Sequence, residues 1–194
     1  MKKLKLIFAV PLAALMMQAC HNNSGTTTTT DSTTTVKEDV SKTDTSKTMA
    51  VPDTGDVKFA TAAASGGMTE IALSKLAVQQ ATSSKLKDFA NMMITDHSNA
   101  GDQLAAIAKA KNITLPTGPN ADQQNVINDL AKKTGSDFDK AYVKQMVTDH
   151  KSTLDMFQHE QTMVKDTALR SFISNTIPVV QKHLDAIKAI KSGM

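Results

Sequence analysis

The sequence predicts an all-α domain of four long helices, and three observations carry that expectation. From residue 58 to the end of the 194-residue chain, apolar residues recur at spacings of three and four, with no competing strand-like alternation. Aromatic residues make up only 4% and there is no Trp, while Ala, Leu, Ile and Met supply the apolar content, a composition suited to helices rather than to a β-sandwich. Capping and turn residues interrupt the periodic stretch at only a few places.

The first helix is expected over about 58–80, with Phe59, Ala63, Gly66, Leu73 and Ala77 along its apolar stripe. Gly66 and Gly67 either weaken it locally or permit close approach of another helix. A second helix follows over about 84–111, with Thr82 or Ser83 as cap and Leu86, Ala90, Met93, Ala100, Leu104 and Ile107 on its stripe. Asn112 is suited to end it in the left-handed conformation, before a loop marked by Leu115, Pro116, Gly118 and Pro119. A short helix over about 122–133 presents Val126, Ile127 and Leu130, and Gly135 closes it.

Ser136 or Asp137 can cap a third long helix reaching about residue 164, with Val143, Met146, Leu154, Phe157 and Val164 on its stripe. Asp166 or Thr167 starts a fourth, which carries Leu169, Phe172, Val180, Ile187 and Ile190 and which Pro178 is expected to kink. The tight turns near residues 82 and 166 make antiparallel hairpins, whereas the connection over 112–136 is long enough to cross the bundle. The expected architecture is a ferritin-like four-helix bundle, or failing that an up-down-up-down bundle, with a short extra helix in the long connection between its second and third long helices.

Ahead of this domain, Lys2, Lys3 and Lys5 precede an apolar run over 6–17, followed by Gln18, Ala19 and Cys20. That is the layout of a signal peptide, too short in its apolar run for a membrane-spanning helix. It resembles a bacterial lipoprotein signal, which implies cleavage after residue 19 and lipidation of Cys20 as the membrane anchor. Residues 20–57 then form a Thr- and Ser-rich stretch without aromatics, expected to be a disordered tether with an end-to-end distance of about 30 to 40 Å. The domain proper is placed at 58–194.

Charge and cysteine usage narrow the function. Without the three leader lysines, Lys+Arg falls from 22 to 19 and matches the 19 Asp+Glu, and Arg170 is the only arginine. Such a chain lacks the guanidinium clusters that grip phosphates, which excludes a nucleic-acid-binding role. The single cysteine excludes an internal disulfide and a cysteine-rich metal site.

Each long helix carries one residue on its apolar stripe that can ligate a metal: Glu70, His97, His150 and His183. Counted from the hairpin turns near 82 and 166, they lie at depths of about 18, 22, 24 and 26 Å, a spread of little more than one helical turn. All four can therefore meet in one layer. A carboxylate in an apolar core is costly without a compensating cation or donors. Three imidazoles and a carboxylate suit a single Zn, Fe, Mn or Cu ion.

No Glu-x-x-His is present, so the two-metal carboxylate site of ferritins is not encoded in its usual form. The competing account is a metal-free structural or protein-interaction module, in which the four form a satisfied polar layer that fixes helix register. Met93 and Met146, each four residues before a histidine, are possible additional soft ligands, although methionine on a stripe is ordinarily core filling. Asp96 and Asp149 either orient imidazoles across helices or stand solvated, the commoner role for such residues. Residues 89–97 and 142–150 echo each other at an offset of 53, sharing Met, Thr, Asp and His. No nucleophile motif or phosphate loop assigns a catalytic activity.

Several fragments taken together resemble a known family: Phe59-Ala60 with Ala62-Ala63, Gly66-Gly67 with Glu70, Phe89-Ala90 with Met93 and Asp96-His97-Ser98, Leu115-Pro116, Phe138-Asp139 with Tyr142, Asp149-His150, and Pro178 with His183-Leu184. The set is similar to a ferritin-like bacterial envelope family catalogued as a domain of unknown function, whose members are often labelled outer-membrane proteins or lipoproteins. The resemblance spans about 58–191. It implies a ferritin-like bundle outside the cytoplasm, on an outer-membrane anchor facing the periplasm, and it supplies no established activity. The family's recurring Glu and His positions fall on Glu70, His97, His150 and His183.

Overall fold

The computed structural model describes residues 51–194, so the expected signal segment, Cys20 and most of the tether lie outside the described residues. Those described form five α-helices and no strand: α1 (Thr54–Gln80), α2 (Ser84–Ala110), α3 (Ala121–Ala131), α4 (Gly135–Met163) and α5 (Thr167–Ser192). Among them, no helix is long and apolar enough to cross a membrane.

Most helix ends obey local capping chemistry, and two depart from expectation. α1 begins at Thr54, inside the stretch assigned to the tether, because the Asp53 carboxylate accepts the Gly55 N–H at 2.8 Å and caps the first turn there. α2 ends as its sequence suggests. Asn112 adopts φ 57°, the Ile113 N–H reaches back to the Ala108 carbonyl at 2.9 Å, and buried Ile113 covers the end. Asn120 and Gln123 cap α3 reciprocally. Gly135, expected to close α3, instead opens α4 with φ 58°, and the cap position belongs to Thr134 rather than to Ser136 or Asp137. Asp166 caps α5 through the N–H groups of Ala168 and Leu169, and α5 runs on through Pro178.

α1 packs on α2, α2 on α5, α5 on α4 and α4 on α1, closing a ring of four helices, with α3 against α1 and α4. Two buried carboxylates settle the directions. Asp139, early in α4, accepts the Thr82 N–H at 3.0 Å, the Ser83 N–H at 3.3 Å and the Thr82 hydroxyl, all from the α1–α2 turn. Asp56, early in α1, accepts the Lys165 N–H at 2.7 Å and the Asp166 N–H at 3.0 Å from the α4–α5 turn. Since α2 and α4 both start at the same end, they run parallel, and the connection containing α3 traverses the length of the ring. The same carboxylate-to-turn contact thus recurs in the two hairpins at a separation of 83 residues (139 − 56 and 166 − 83), with Asp56 corresponding to Asp139 and Ser83 to Asp166. The offset of 53 instead aligns α2 with α4, the parallel helices.

Two apolar clusters fill the interior. One, around Leu73, Leu86, Phe89, Phe138, Tyr142 and Ile187, lies at the α1–α2 turn. Phe138 stacks on Tyr142 at 6.0 Å, and the Tyr142 hydroxyl meets Ser74 Oγ at 2.9 Å. The other, around Phe59, Leu104, Phe157, Leu169 and Phe172, lies at the α4–α5 turn, with Phe59 edge-on to Phe157 at 5.3 Å. Each fully buried Leu or Phe side chain contributes about 1.5–3 kcal/mol. Polar side chains occupy the waist where the two clusters meet.

Candidate metal centre

Glu70 of α1, His97 of α2, His150 of α4 and His183 of α5 come together at that waist. Glu70, His150 and His183 are buried and His97 is nearly so. The ring centroids of the three histidines are 5.4 to 5.9 Å apart. One ring nitrogen from each lies within 4.8 Å of those of the other two.

The hydrogen bonds assign the nitrogens. His150 Nδ1 is 2.8 Å from the Met146 carbonyl oxygen; a carbonyl can only accept, so Nδ1 carries the proton and Nε2 keeps its lone pair. His183 Nε2 donates to Asp96 Oδ2 at 2.9 Å, which leaves Nδ1 as the lone-pair nitrogen. His97 Nδ1 is paired with Glu70 Oε2 at 3.2 Å, and the second Glu70 oxygen lies 3.3 Å from His150 Nδ1. The remaining nitrogens, His97 Nε2, His150 Nε2 and His183 Nδ1, are buried without any hydrogen-bond partner.

Electrostatics match this arrangement. Burial, followed by the neighbouring histidines, lowers His97 to about 3, and burial lowers His150 to about 4, so both rings are neutral at pH 7. His183 is also lowered by burial, against the pull of Asp96. Burial raises Glu70 to about 8, with the nearby Asp149 adding to the effect. Asp149 itself is raised to about 6 by burial, although Gln145 hydrogen-bonds it. Neutral imidazoles are the ligating form, and a cation at the centre favours ionised Glu70.

A family model described as a domain of unknown function, DUF4142, matches residues 40–190. The chain belongs to the DUF4142 family. No curated protein and no solved structure matches it. The family description assigns no role, so the chemistry of the DUF4142 domain rests on its side chains. Three buried histidines at this separation could hold a metal ion. A tetrahedral ion about 2.0–2.1 Å from each nitrogen separates its ligands by about 3.4 Å. The rings therefore have to close by at most about 1.4 Å, within the reach of small side-chain rotations.

The other sequence candidates divide. Met93 and Met146 are fully buried within the apolar cluster at the α1–α2 turn, and Met146 serves His150 through its backbone carbonyl. Asp96 is not merely solvated: at 33% side-chain exposure it reaches across from α2 to fix the α5 histidine. Its adjacency to His97 was the available signal, but only the rotation of α2 against α5 aims it at His183. Gly66 and Gly67 stay inside a continuous helix. A Cβ on Gly66 would meet nothing within 4 Å, and one on Gly67 would meet only His97 Nδ1, at 3.9 Å, so the pair does not mark a close helix crossing.

Proposed function

We propose that this chain is a lipid-anchored protein of the bacterial cell envelope whose ferritin-like four-helix bundle holds one transition-metal ion on His97, His150 and His183, for metal handling or redox protection. The observation that carries the metal reading is the set of three buried ring nitrogens without partners, each on a ring whose other nitrogen is already held. Leaving three such nitrogens unmet costs about 1–3 kcal/mol each, and one cation resolves all three. A metal-free polar layer would pair these nitrogens with one another or with donors, and the described residues supply none.

Glu70 enters this reading as the residue that orients His97, and Asp96 as the residue that orients His183, in place of a four-ligand set that includes Glu70. Histidine ligands held through their outer nitrogen by a carboxylate or a carbonyl have a fixed tautomer and greater basicity. The neutral three-imidazole set suits Zn, Cu, Fe or Mn in the divalent state. The closed ring of four helices with parallel α2 and α4 supports the ferritin-like topology. The run of basic residues, apolar segment and Ala19-Cys20 supports the anchor, and its place on the periplasmic face of the outer membrane is what the family resemblance implies.

The test is elemental analysis of protein purified from its native compartment without chelators. About one equivalent of a single metal is expected, lost in His150→Ala with helicity retained. An unchanged metal content in that variant would remove His150 from the site. Cys20→Ser should move the protein from the membrane fraction to the soluble one, and a variant that stays with the membrane would refute the anchor.

A further inference from the structure

The three free imidazole nitrogens, His97 Nε2, His150 Nε2 and His183 Nδ1, are all closed off from solvent. An ion can reach them only if something moves, and the three rings differ in how firmly each is shut in. The His150 and His183 side chains are 0% and 1% exposed, and are held at 2.8 Å by the Met146 carbonyl and at 2.9 Å by Asp96. The His97 side chain is 11% exposed, and its carboxylate partner stands farther off, at 3.2 Å.

His97 also borders a cavity of about 740 Å³, whereas His150 and His183 do not. Two gaps in side-chain cover shape this cavity: Gly66 on α1 and Gly101 on α2, about one turn beyond His97, where an added Cβ would meet nothing within 4 Å. Gly67 leaves α1 bare beside the ring itself, since a Cβ there would stand 3.9 Å from His97 Nδ1. The cavity reaches the surface at Asp102 and Asp122, both exposed. Four carboxyl groups line it, from these two at the rim through half-buried Asp149 to buried Glu70, and among the described residues no Lys or Arg does. Carboxylates set along low-dielectric walls draw a divalent cation inward and repel anions.

The geometry points to this cavity as the passage by which a divalent transition-metal cation enters and leaves the buried histidine site, past the His97 ring. The inference rests on the metal reading above and adds to it the route and its moving part. The imidazoles set how tightly the ion is held, and the cavity sets how fast it comes and goes.

The test is stopped-flow mixing of the metal-free full chain with Co(II), followed by the visible absorption the ion gains on binding, together with its release into excess chelator. Gly66→Leu combined with Gly101→Leu fills the cavity and raises helix propensity. It should slow uptake and release alike, at least tenfold, with the dissociation constant within about threefold of the wild type and circular dichroism unchanged. Asp102→Asn combined with Asp122→Asn alters only exposed side chains, and should slow uptake about threefold at low ionic strength, the difference vanishing in high salt. If the filled variant loses helicity, the rim pair decides alone. Wild-type uptake in either variant, or a weakened affinity at unchanged uptake in the filled one, would overturn the passage while leaving the metal reading intact. Absence of saturable Co(II) binding by the wild type would overturn both.

Discussion

Asp56, Asp139 and Glu70 are equally buried, at 5%, 4% and 5% exposure, yet they do different work. The two aspartates sit at opposite ends of the ring and spend their oxygens on backbone N–H groups of the facing turn. Glu70, at the waist, faces two imidazoles and keeps one oxygen without a partner. Burial of a carboxyl group is therefore not in itself a sign of function here. Unspent hydrogen-bonding capacity is the sign: apart from Gln80 Oε1 at the end of α1, the buried side-chain atoms without a partner among the described residues lie at the waist, on Glu70 and the three histidines.

The comparison breaks most visibly at the ends. Asp139→Ala strands the Thr82 and Ser83 N–H groups and should cost about 2–4 kcal/mol in urea denaturation, with metal content unchanged. A loss of metal at unchanged stability would give the end carboxylates a functional role instead. At the waist the pattern should reverse. His150→Ala removes one of three ligands and should lower metal affinity by more than about 100-fold, approximately 2.7 kcal/mol, with the helical spectrum intact.

Glu70→Gln keeps the shape but weakens the hold on His97, so metal affinity should fall by about 10- to 100-fold, read by competition with a chromogenic chelator. An affinity loss as complete as that of His150→Ala would make Glu70 a ligand rather than an orienting group. Asp96→Asn, more exposed, should cost about tenfold and leave folding stability within about 1 kcal/mol.

The smallest effects are those of pH on the metal-free protein. Glu70 has a folded value raised from 4.5 to about 8, so its contribution to stability is fully present below about 4.5 and is lost as pH rises through 8. His97 and His150 have lowered folded values, so the unfolded chain takes up their protons first and stability is lost as pH falls below about 6.5 towards 4. Melting temperature should therefore pass through a maximum near pH 6.5, decline from there to about pH 8, and level off above it, where Glu70 is ionised in both states. Glu70→Gln should remove the decline above about pH 6.5 and steepen the rise below it. A decline that survives in Glu70→Gln would assign it to another group.

Much of this was legible in the chain itself. Helix positions followed from apolar spacing, the stop at Asn112 from its tolerance of positive φ, and the common level of Glu70, His97, His150 and His183 from the constant rise of 1.5 Å per residue. Other features were not legible, for a physical reason in each case. Asp53 and Asp56 look like tether residues because their partners, Gly55 and the Lys165–Asp166 turn, are respectively a cap and a contact 109 residues away. Gly135 reads as a helix stop because positive φ serves a helix end and a helix entry equally well.

What the sequence by itself determined is how far along its helix each polar residue sits, since that depends on local hydrogen bonding alone. Which nitrogen of each imidazole is left free was decided only by the tertiary structure. A tautomer follows from whatever meets the other side of the ring: the Met146 carbonyl within α4, Asp96 across the α2–α5 contact and Glu70 across the α1–α2 contact. The parallel course of α2 and α4 was likewise set by Asp56 and Asp139 gripping turns far away in sequence, because helix direction is fixed by where chain ends dock and not by any periodicity along them.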